Sequence, residues 1–477
     1  MADALEKIRQ KFNIDNAVKG CGITAVALMS LFTYAFLGTE FLFVNLVSSV
    51  VSDTKSVVAQ NCALGISALG FFIYPLLCRF FKSRGQASVL IGATAVLMVC
   101  LFVACRQYSY LITLVSGLLM FLALGLLGSA THFKCLCLFE KNTHIARLVG
   151  ISYMLGTLLQ VAVNNLIHTD MSEAVVLCIF IVVLTFLLVG AKTDTAVTSL
   201  KDISAADGNK LNDGLGICLL LVSFVGLMTC IFSTLDNAVT LYHANGTVNI
   251  GQAPRILLAL SGLLAGFLFD IADRKLMSVI MYCVMILSTA CLVVLQFAGP
   301  FMIGLIIFYL SAGFFAVFFT SSFMEMARYT KSPELWAGLG RAINNIVAVI
   351  ITGGSLALLD SGNNIAIITI ELLLFVLTSV AALAYTNKRK AFFDGIEAEA
   401  ENSISESERL EKIAEKFSLT PRETEVLNRL VNTEDALQVI ADSLYISKRT
   451  LERHISSIYE KTGVKSRIAL ISIYMNA

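Results

Sequence analysis

The feature that most constrains the fold of this chain is a series of long apolar runs separated by short polar segments. Each run holds roughly 20 mostly apolar residues, the length that an α-helix needs to cross the hydrocarbon core of a bilayer. There are twelve such runs, and they start near Gly20, Val57, Gln86, Tyr110, Ile145, Ala174, Gly214, Pro254, Leu276, Pro300, Glu334 and Asn364. The sequence therefore predicts an all-α, polytopic transmembrane domain over residues 20–387.

Basic residues between the runs indicate how the helices are oriented. With twelve spans, the N-terminus, every second loop and the tail lie on one side, and these segments carry 20 Lys and Arg residues. The opposite loops carry three, which are Lys55, Arg106 and Arg255. Because cytoplasmic loops are enriched in Lys and Arg, we expect both termini to be cytoplasmic in a bacterial inner (plasma) membrane. Residues 1–19 are then a cytoplasmic N-terminus.

A change in composition marks the end of the membrane domain. The whole chain is 57% hydrophobic and only 14% charged, whereas soluble domains carry about 25% charged residues. Eleven of the 35 Lys and Arg residues lie after residue 390, so this part has a soluble composition. We predict an acidic cytoplasmic linker over residues 388–417 and a separate domain over residues 418–477. Leu410, Ile413 and Phe417 share a helical stripe in the linker, which either pairs two chains or packs on the following domain.

Four short amphipathic helices are predicted within residues 418–477. Thr420, Pro421 and Glu423 have the spacing of a capping box with proline at the first helical position. A second helix is predicted from apolar residues at helical spacing, which are Leu437, Ile440, Ala441 and Leu444. After a tight turn, Ser447 begins a longer helix with a polar, basic outer face. This arrangement predicts a helix-turn-helix, whose second helix enters the major groove of DNA.

The residue pattern of this domain resembles the LuxR/NarL-type DNA-binding domain. The resemblance rests on LTPRETEVL at Leu419–Leu427, on Ile446-Ser447, and on TLxxHIxxIYxKxGVxSR from Thr450 to Arg467. The sequence departs from that family near Thr433, where the usual glycine after the first helix is replaced, and one extra residue precedes Ala436. The resemblance implies a DNA-binding domain with a conventional recognition helix.

The resemblance also implies roles for individual side chains. Glu452, Arg453 and Ser456 occupy base-reading positions, where Arg pairs with guanine and Glu accepts from cytosine. The other predicted DNA contacts, several of them to phosphate, are Lys448, Arg449, Thr450, Ser457, Lys461 and Lys465. The family dimerises through its last helix, so the predicted contacts of a homodimer on double-stranded DNA are Arg467, Leu470, Ile471 and Tyr474. For each side chain, the alternative is a solvated helix face.

The membrane domain resembles the major facilitator superfamily. Its longest loop, Lys192 to Asp213, divides the twelve spans into two sets of six. After the eighth span, GFLFDIADRK from Gly266 to Lys275 resembles the superfamily's loop signature G-x-L-x-D-x-x-x-R-K, whereas the corresponding loop at Arg79–Gly85 keeps only basic residues and one glycine. The resemblance implies a 6+6 bundle in which the acid and bases of this loop contact neighbouring helix ends. A solvated charged turn is the alternative.

Polar side chains within the spans are costly in lipid and usually face a cavity or a partner. Arg341, Asn344 and Asn345 share one helix face in the eleventh span. The first, fifth, seventh and eleventh spans line the central cavity of facilitator-like folds, so the predicted contacts to a small anionic or polar ligand are Arg341, Asn344, Asn345, Asp236, Asn164 and Glu40. Hydrogen bonding from helix to helix is the alternative. Glu325 and Glu371 are expected to be solvated near span ends.

No catalytic, metal or cofactor site is predicted. The 12 Cys residues lie between Cys21 and Cys291 without metal-binding spacing, and the chain has no phosphate-binding loop or nucleophile–base set. We therefore expect a transcription regulator, not an enzyme, anchored in the lipid bilayer and controlled by small-molecule sensing in its membrane domain. The alternatives are a transporter with a regulatory tail and a membrane domain that serves only as an anchor.

Overall fold

The computed structural model describes residues 21–81, 83–106, 109–139, 144–191, 208–244, 253–271, 274–296 and 301–475. The predicted N-terminal segment 1–19, most of the loop from Lys192 to Asp213, and Ala272 and Asp273 of the loop signature lie outside these ranges. Within the described ranges, the regular secondary structure is entirely helical. The chain divides into two compact units, Met1–Arg389 and Lys390–Ala477.

Twelve helices of the described chain match the twelve predicted spans in order. They are α1 (Cys21–Ser48), α2 (Asp53–Phe80), α3 (Ser83–Cys105), α4 (Tyr110–Leu138), α5 (Ile145–Leu166), α6 (Asp170–Gly190), α7 (Gly208–Ala244), α8 (Ala253–Phe269), α9 (Met277–Gln296), α10 (Phe301–Ala327), α11 (Pro333–Asp360) and α12 (Asn364–Lys416). Ten are long and apolar enough to cross a membrane, while α8 and α9 contain the shorter apolar stretches Arg255–Phe269 and Met277–Thr289. The chain is a multi-pass membrane protein.

Local capping explains where several spans begin. The Ser109 hydroxyl accepts a hydrogen bond from the backbone N–H of Ile112 (3.3 Å), so α4 begins at Tyr110, as predicted. The Thr169 hydroxyl accepts a hydrogen bond from the backbone N–H of Ser172 in the same way (3.3 Å). The helix α6 therefore begins at Asp170, four residues before the predicted start. Side-chain capping satisfies backbone donors that have no partner inside the helix.

The two halves of the bundle pack most extensively through two pairs of helices, α2 against α11 and α5 against α8. The helices of the second half correspond to those of the first half six positions earlier, so that α8 corresponds to α2 and α11 to α5. The two pairs are therefore equivalent, as is expected of two related halves. Gly266 of α8 allows one of these contacts to be close, because a Cβ there would lie 2.7 Å from the carbonyl oxygen of Ala146 on α5. Small residues permit such backbone approach between membrane helices.

The outer helices present large apolar side chains away from the bundle. Examples are Val99 on α3, Phe186 on α6 and Val380 on α12, each more than half exposed. A surface of this kind suits lipid and not water. The prediction of an all-α polytopic bundle is therefore confirmed for the described part of the first unit.

The second unit contains α13 (Pro421–Asn432), α14 (Leu437–Ser443), α15 (Lys448–Thr462) and α16 (Arg467–Met475). The predicted capping box is confirmed, because the side chains and backbones of Thr420 and Glu423 bond reciprocally. Its apolar core comprises Ile413, Val426, Leu427, Leu430, Ile440, Ala441, Leu444, Leu451, Ile455, Ile458, Leu470 and Tyr474. Ile413 belongs to this core and Leu410 and Phe417 pack against it, so the linker stripe packs on the domain that follows it.

Candidate nucleic-acid interface and candidate ligand cavity

A tight turn joins α14 to α15 in the second unit. The backbone N–H of Ile446 donates to the carbonyl of Ala441 (3.0 Å), and Tyr445 lies in the left-handed region with φ of 54°. Ser447 then accepts from the backbone N–H of Thr450 (3.1 Å) and begins α15. Gly463 ends this helix with φ of 75°, a conformation that glycine adopts without steric cost. The helix is thus fixed at both ends.

The outer face of α15 carries the predicted base-reading residues. The exposed side chains there are Lys448, Arg449, Glu452, Arg453 and Ser456. Within the described part of the chain, no hydrogen bond or ion pair holds the guanidinium of Arg449 or Arg453. The Ser456 hydroxyl donates to the carbonyl of Glu452 (2.9 Å), which leaves it on the exposed face. This face can enter a major groove without first breaking internal contacts.

A buried carboxylate, Glu423, ties α15 to α13. It accepts hydrogen bonds from the Ser457 hydroxyl (2.6 Å) and the Lys461 ammonium (2.7 Å), besides the backbone N–H of Thr420 (2.8 Å). Burial raises the pKa of Glu423, but the hydrogen bonds from Lys461, Ser457 and Thr420 lower it by a larger amount. The net result is a pKa of about 2. Two predicted phosphate contacts, Ser457 and Lys461, therefore also hold the recognition helix in place.

The other two predicted phosphate contacts differ in their surroundings. The Thr450 hydroxyl lies 2.8 Å from that of Ser447 at the start of α15, whereas Lys465 is exposed beyond the end of the helix. They stay predicted DNA contacts.

The last helix, α16, contributes to the domain's own core. Leu470 and Tyr474 are buried there, and the guanidinium of Arg467 donates to the carbonyls of Leu430, Thr433 and Asp435. Arg467 thereby holds the turn in which the sequence departs from its family. Of the predicted dimer contacts, Arg467 and Ile471 are partly exposed, and the neighbouring apolar Ile468 is 81% exposed. Because the guanidinium of Arg467 is bound within the domain, a dimer contact through α16 would rest mainly on Ile468 and Ile471.

The first unit contains a cavity of about 160 Å³ that is lined by α1, α2, α5, α7, α8, α10 and α11. Five of the six predicted ligand contacts line it, and they are Glu40, Asp236, Arg341, Asn344 and Asn345. The sixth, Asn164, does not. With its amide nitrogen turned toward them, Asn164 donates to the carbonyl of Gln160 (3.3 Å) and to the carboxylate of Glu173 (3.2 Å). Asn164 therefore belongs to a separate polar group between α5 and α6.

Arg341 is held in the cavity by aromatic rings. Its guanidinium carbon lies 5.1 Å from the ring centroid of Phe36 and 5.0 Å from that of Phe319. Its buried Nε has no hydrogen-bond partner within the described structure. Cation–π contacts stabilise the charge through the ring faces, and they leave the in-plane N–H donors available to another group.

The neighbouring amides both line the cavity and join helices. Asn345 donates to the Ser67 hydroxyl of α2 (2.8 Å), and Asn344 accepts from the Thr229 hydroxyl of α7 (3.4 Å). The ligand-contact and helix-to-helix interpretations are therefore compatible for these two residues. Glu40 accepts from the side-chain amide of Gln60 (2.7 Å), which orients this carboxylate at the cavity wall.

Sequence reasoning missed one charged residue of the cavity, Arg255. It was counted with the bases of the outer loops, but it lies at the start of α8 and is only 7% exposed. Its guanidinium carbon is 5.3 Å from the ring centroid of Phe41, and its Nη1 has no hydrogen-bond partner within the described structure. The signal that could have found it is a basic residue beside Pro254, at the edge of an apolar run, on the side whose loops carry few basic residues.

A cluster of ion pairs lies at the end of the bundle where α8 and α10 finish. Asp270 accepts from the backbone N–H of Arg147 at the start of α5 (2.8 Å), and Arg274 lies 3.5 Å from the same carboxylate. Arg274 also donates to Glu325 (2.7 Å), as does Arg389 of α12 (2.7 Å). The loop signature therefore contacts neighbouring helix ends and is not a solvated turn.

Two carboxylates that we expected to be solvated are buried. Glu325 is 4% exposed, because bases from the loop after α8 and from α12 converge on the end of α10. Glu371 is 2% exposed on α12, with one carboxylate oxygen that has no hydrogen-bond partner within the described structure. Both corrections have the same cause, since a position near the end of an apolar run does not reveal what packs against it. No group of three or more potential metal ligands occurs among the described residues.

Comparison with known sequences identifies the family of the second unit. Residues 417–474 match the family described as "Bacterial regulatory proteins, luxR family". No curated protein matches the chain. The match covers the helix-turn-helix and the capping box whose geometry is given above.

Comparison with solved structures identifies the fold of the first unit. The proton:xylose symporter XylE of the major facilitator superfamily is similar with a TM-score of 0.53 at 15% identity, over 76% of this chain and 94% of that chain. An auto-inhibited POT family peptide transporter is similar with a TM-score of 0.51 at 13% identity, over 78% and 96%. The transporter FucP in an outward conformation has a TM-score of 0.50 at 12% identity, over 76% and 98%. Likeness at such low identity shows the fold alone. The chain thus joins a LuxR-type DNA-binding domain to a membrane domain with the major facilitator fold.

Proposed function

We propose that this protein is a membrane-anchored transcription regulator that binds operator DNA through α15 and is controlled by a small molecule in the cavity of its membrane unit. Residues 20–387 would span the inner (plasma) membrane of a bacterium, and residues 1–19, 388–417 and 418–477 would be the cytoplasmic N-terminus, linker and DNA-binding domain. The chain would act as a homodimer on double-stranded DNA. The proposal includes no enzymatic activity.

The observation that carries this proposal is the exposed face of α15. Arg449 and Arg453 project from a helix whose inner face, ends and position on α13 are fixed by other residues. Arginine side chains that are held in place near the start of such a helix are suited to reading the edges of DNA bases.

Genome-wide DNA occupancy of the full-length tagged chain tests the regulator. We expect discrete peaks over palindromic sites, and we expect the Arg453→Ala variant to lose them while it inserts into the membrane as before. Truncation of a base-reading arginine typically costs about 1–3 kcal/mol of discrimination. Arg429→Ala is a matched control, because Arg429 lies on α13 and outside the recognition helix. Peaks that persist in Arg453→Ala would contradict the assignment of base reading to this residue.

The cavity favours a second candidate function, a transporter that is regulated by its cytoplasmic tail. The similar structures include a proton:xylose symporter and a peptide transporter, and the cavity is lined by charged and amide side chains. This candidate predicts substrate uptake by a chain that is truncated after Lys390. The regulator predicts little flux from that chain and loss of all operator occupancy.

A further inference from the structure

The chemical class of the cavity's ligand can be inferred from the charges that line it. Among the described residues, four charged side chains line the cavity, the cations Arg255 and Arg341 and the carboxylates Glu40 and Asp236. Their formal charges sum to zero. No ion pair within 4.0 Å joins either cation to either carboxylate in the described structure. The cavity therefore holds separated charges of both signs that do not neutralise each other directly.

Both arginines have donors that the protein does not use. Aromatic rings cover their faces, Phe41 for Arg255 and Phe36 with Phe319 for Arg341. The Nη1 atom of Arg255 and the Nε atom of Arg341 are buried without a hydrogen-bond partner. Because a buried donor without a partner costs free energy, and because the rings leave only in-plane N–H groups, these guanidinium groups are suited to a ligand carboxylate.

The carboxylates are suited to a ligand cation. Asp236 makes no hydrogen bond or ion pair with another described residue, and Glu40 receives one hydrogen bond, from Gln60. An anionic ligand would compensate the arginines and leave both carboxylates without a counter-charge. A cationic ligand would do the reverse, and a neutral polyol would leave all four charges separated in a cavity of low polarisability.

The remaining walls of the cavity are largely aromatic. Phe232 and Phe315 stack with their ring centroids 4.6 Å apart and their planes within 10°. Further lining rings come from Tyr153, Phe308 and Tyr309. Aromatic walls favour an offset-stacked or edge-on aromatic ring over a flexible alkyl chain.

We propose that the cavity binds a small aromatic zwitterion, an aromatic ring bearing one carboxylate and one ammonium group. Arg255 and Arg341 would bind the carboxylate, Glu40 and Asp236 the ammonium, and the stacked pair Phe232 and Phe315 would contact the ring. This inference rests on the proposed function, because it assigns a ligand class to the cavity that controls the regulator.

The test measures binding of small-molecule probes to the full-length chain in lipid nanodiscs. The fluorescence of the chain's one tryptophan reports the binding. Trp336 lies on α11, five residues before Arg341, and is 9% exposed. Since the second unit contains no tryptophan, the signal reports on the membrane unit alone. The probes are phenylalanine and tyrosine, together with the amines phenethylamine and tyramine and the acids 3-phenylpropanoate and 3-(4-hydroxyphenyl)propanoate.

We expect at least one amino acid to bind at least tenfold more tightly than its amine and its acid analogues. Arg341→Gln and Arg255→Gln should each weaken that binding tenfold or more, whereas Asn164→Gln, outside the cavity, should leave it unchanged. If an arginine variant fails to fold, Glu40→Gln and Asp236→Asn replace it, and they should weaken amino-acid binding without weakening the acid analogue. Equal binding of the acid and the amino acid would overturn the inference in favour of an anion site. Absence of binding by all six probes would also overturn it.

Operator occupancy by the same preparations separates this inference from the proposed function. Zwitterion binding without any operator occupancy would leave the cavity assignment intact and contradict the regulator. Operator occupancy without zwitterion-specific binding would contradict only the inference on ligand class. The Arg453→Ala variant should keep full amino-acid binding, because its substitution lies in the second unit.

Discussion

At the scale of single residues, Glu423 connects the start of α13 to the recognition helix. We predict that Glu423→Ala destabilises a fragment of residues 390–477 by about 1–3 kcal/mol, because it removes the cap of Thr420 and the partners of Ser457 and Lys461. Thermal unfolding followed by circular dichroism measures the change. The matched control is Glu425→Ala, whose exposed ion pair with Arg422 contributes less than about 1 kcal/mol. Equal effects of the two substitutions would contradict this role for Glu423.

The same carboxylate predicts how the fragment responds to acid. Because the pKa of folded Glu423 is lowered from 4.5 to about 2, the unfolded chain binds its proton first as the pH falls. The stability that Glu423 contributes is therefore complete above about pH 4.5 and is lost between that pH and pH 2. We expect the difference in unfolding free energy between the fragment and its Glu423→Gln variant to shrink across this window. A difference that is constant from pH 6 to pH 2.5 would contradict the prediction.

Sequence patterns revealed only part of what these residues do. The capping box was predictable, because Thr420 and Glu423 interact across three positions of one helix. The bonds from Ser457 and Lys461 were not, since they join residues 34 and 38 positions away. For the same reason, periodicity placed Arg341 inside a span but could not place Arg255 in the same cavity.

At the scale of elements, Glu325 joins α10 to α12 and to the loop after α8. We predict that Glu325→Gln lowers the stability of the membrane unit by about 3–5 kcal/mol, because Arg274 and Arg389 would keep their buried charges without this carboxylate. Thermal unfolding in detergent, monitored by the reaction of a thiol dye with buried cysteines such as Cys135 and Cys218, measures the loss.

A matched control for this prediction is Arg79→Gln. Arg79 donates one exposed hydrogen bond, to the Ser332 hydroxyl at 3.2 Å, and it lies in the last turn of α2, at the start of the segment that corresponds to the signature in the other half. We expect it to change stability by less than about 1 kcal/mol. Comparable losses from Glu325→Gln and Arg79→Gln would indicate that the buried cluster does not hold these elements together.

The helices α2 and α4 pack closely at Gly125, and a second prediction concerns this contact. A Cβ added at Gly125 would lie 1.9 Å from the backbone carbonyl oxygen of Ser67, so neither side can yield without moving a helix. We predict that Gly125→Ala lowers the unfolding temperature and the yield of monodisperse protein. Gly92→Ala on α3, where nothing lies within 4 Å, should leave both unchanged. Unchanged behaviour of Gly125→Ala would show that α2 and α4 are less close than described.

The spans were predictable because length and polarity decide them locally. The predicted starts at Tyr110, Ile145 and Asn364 coincide with the observed ones, since capping or loop residues precede them. Which helices meet was not predictable in the same way. The pairing of α2 with α11 depends on contacts such as Val349 against Gly65, and these residues are far apart in sequence.

At the scale of the whole molecule, the charges between spans make the proposal testable in cells. The predicted cytoplasmic segments carry 20 bases and the opposite loops three, and one of those three, Arg255, lies inside the cavity. Arg147 and Arg389, two of the 20, are buried as well, each 4% exposed. Without these three buried arginines the counts are 18 and two, an asymmetry that still predicts cytoplasmic termini.

Reporter fusions test this orientation directly. We predict that alkaline phosphatase, which is active only outside the cytoplasm, is active when inserted after Ser52 or Arg106 and inactive after Phe81 or Ala477. A C-terminal green fluorescent protein should fluoresce, as it does in the cytoplasm. The pair after Phe81 and Arg106 is a matched control, because the insertions flank one span, α3. Phosphatase activity at Ala477 would place α15 on the side without DNA, and the regulator would then be excluded whatever its recognition helix can bind.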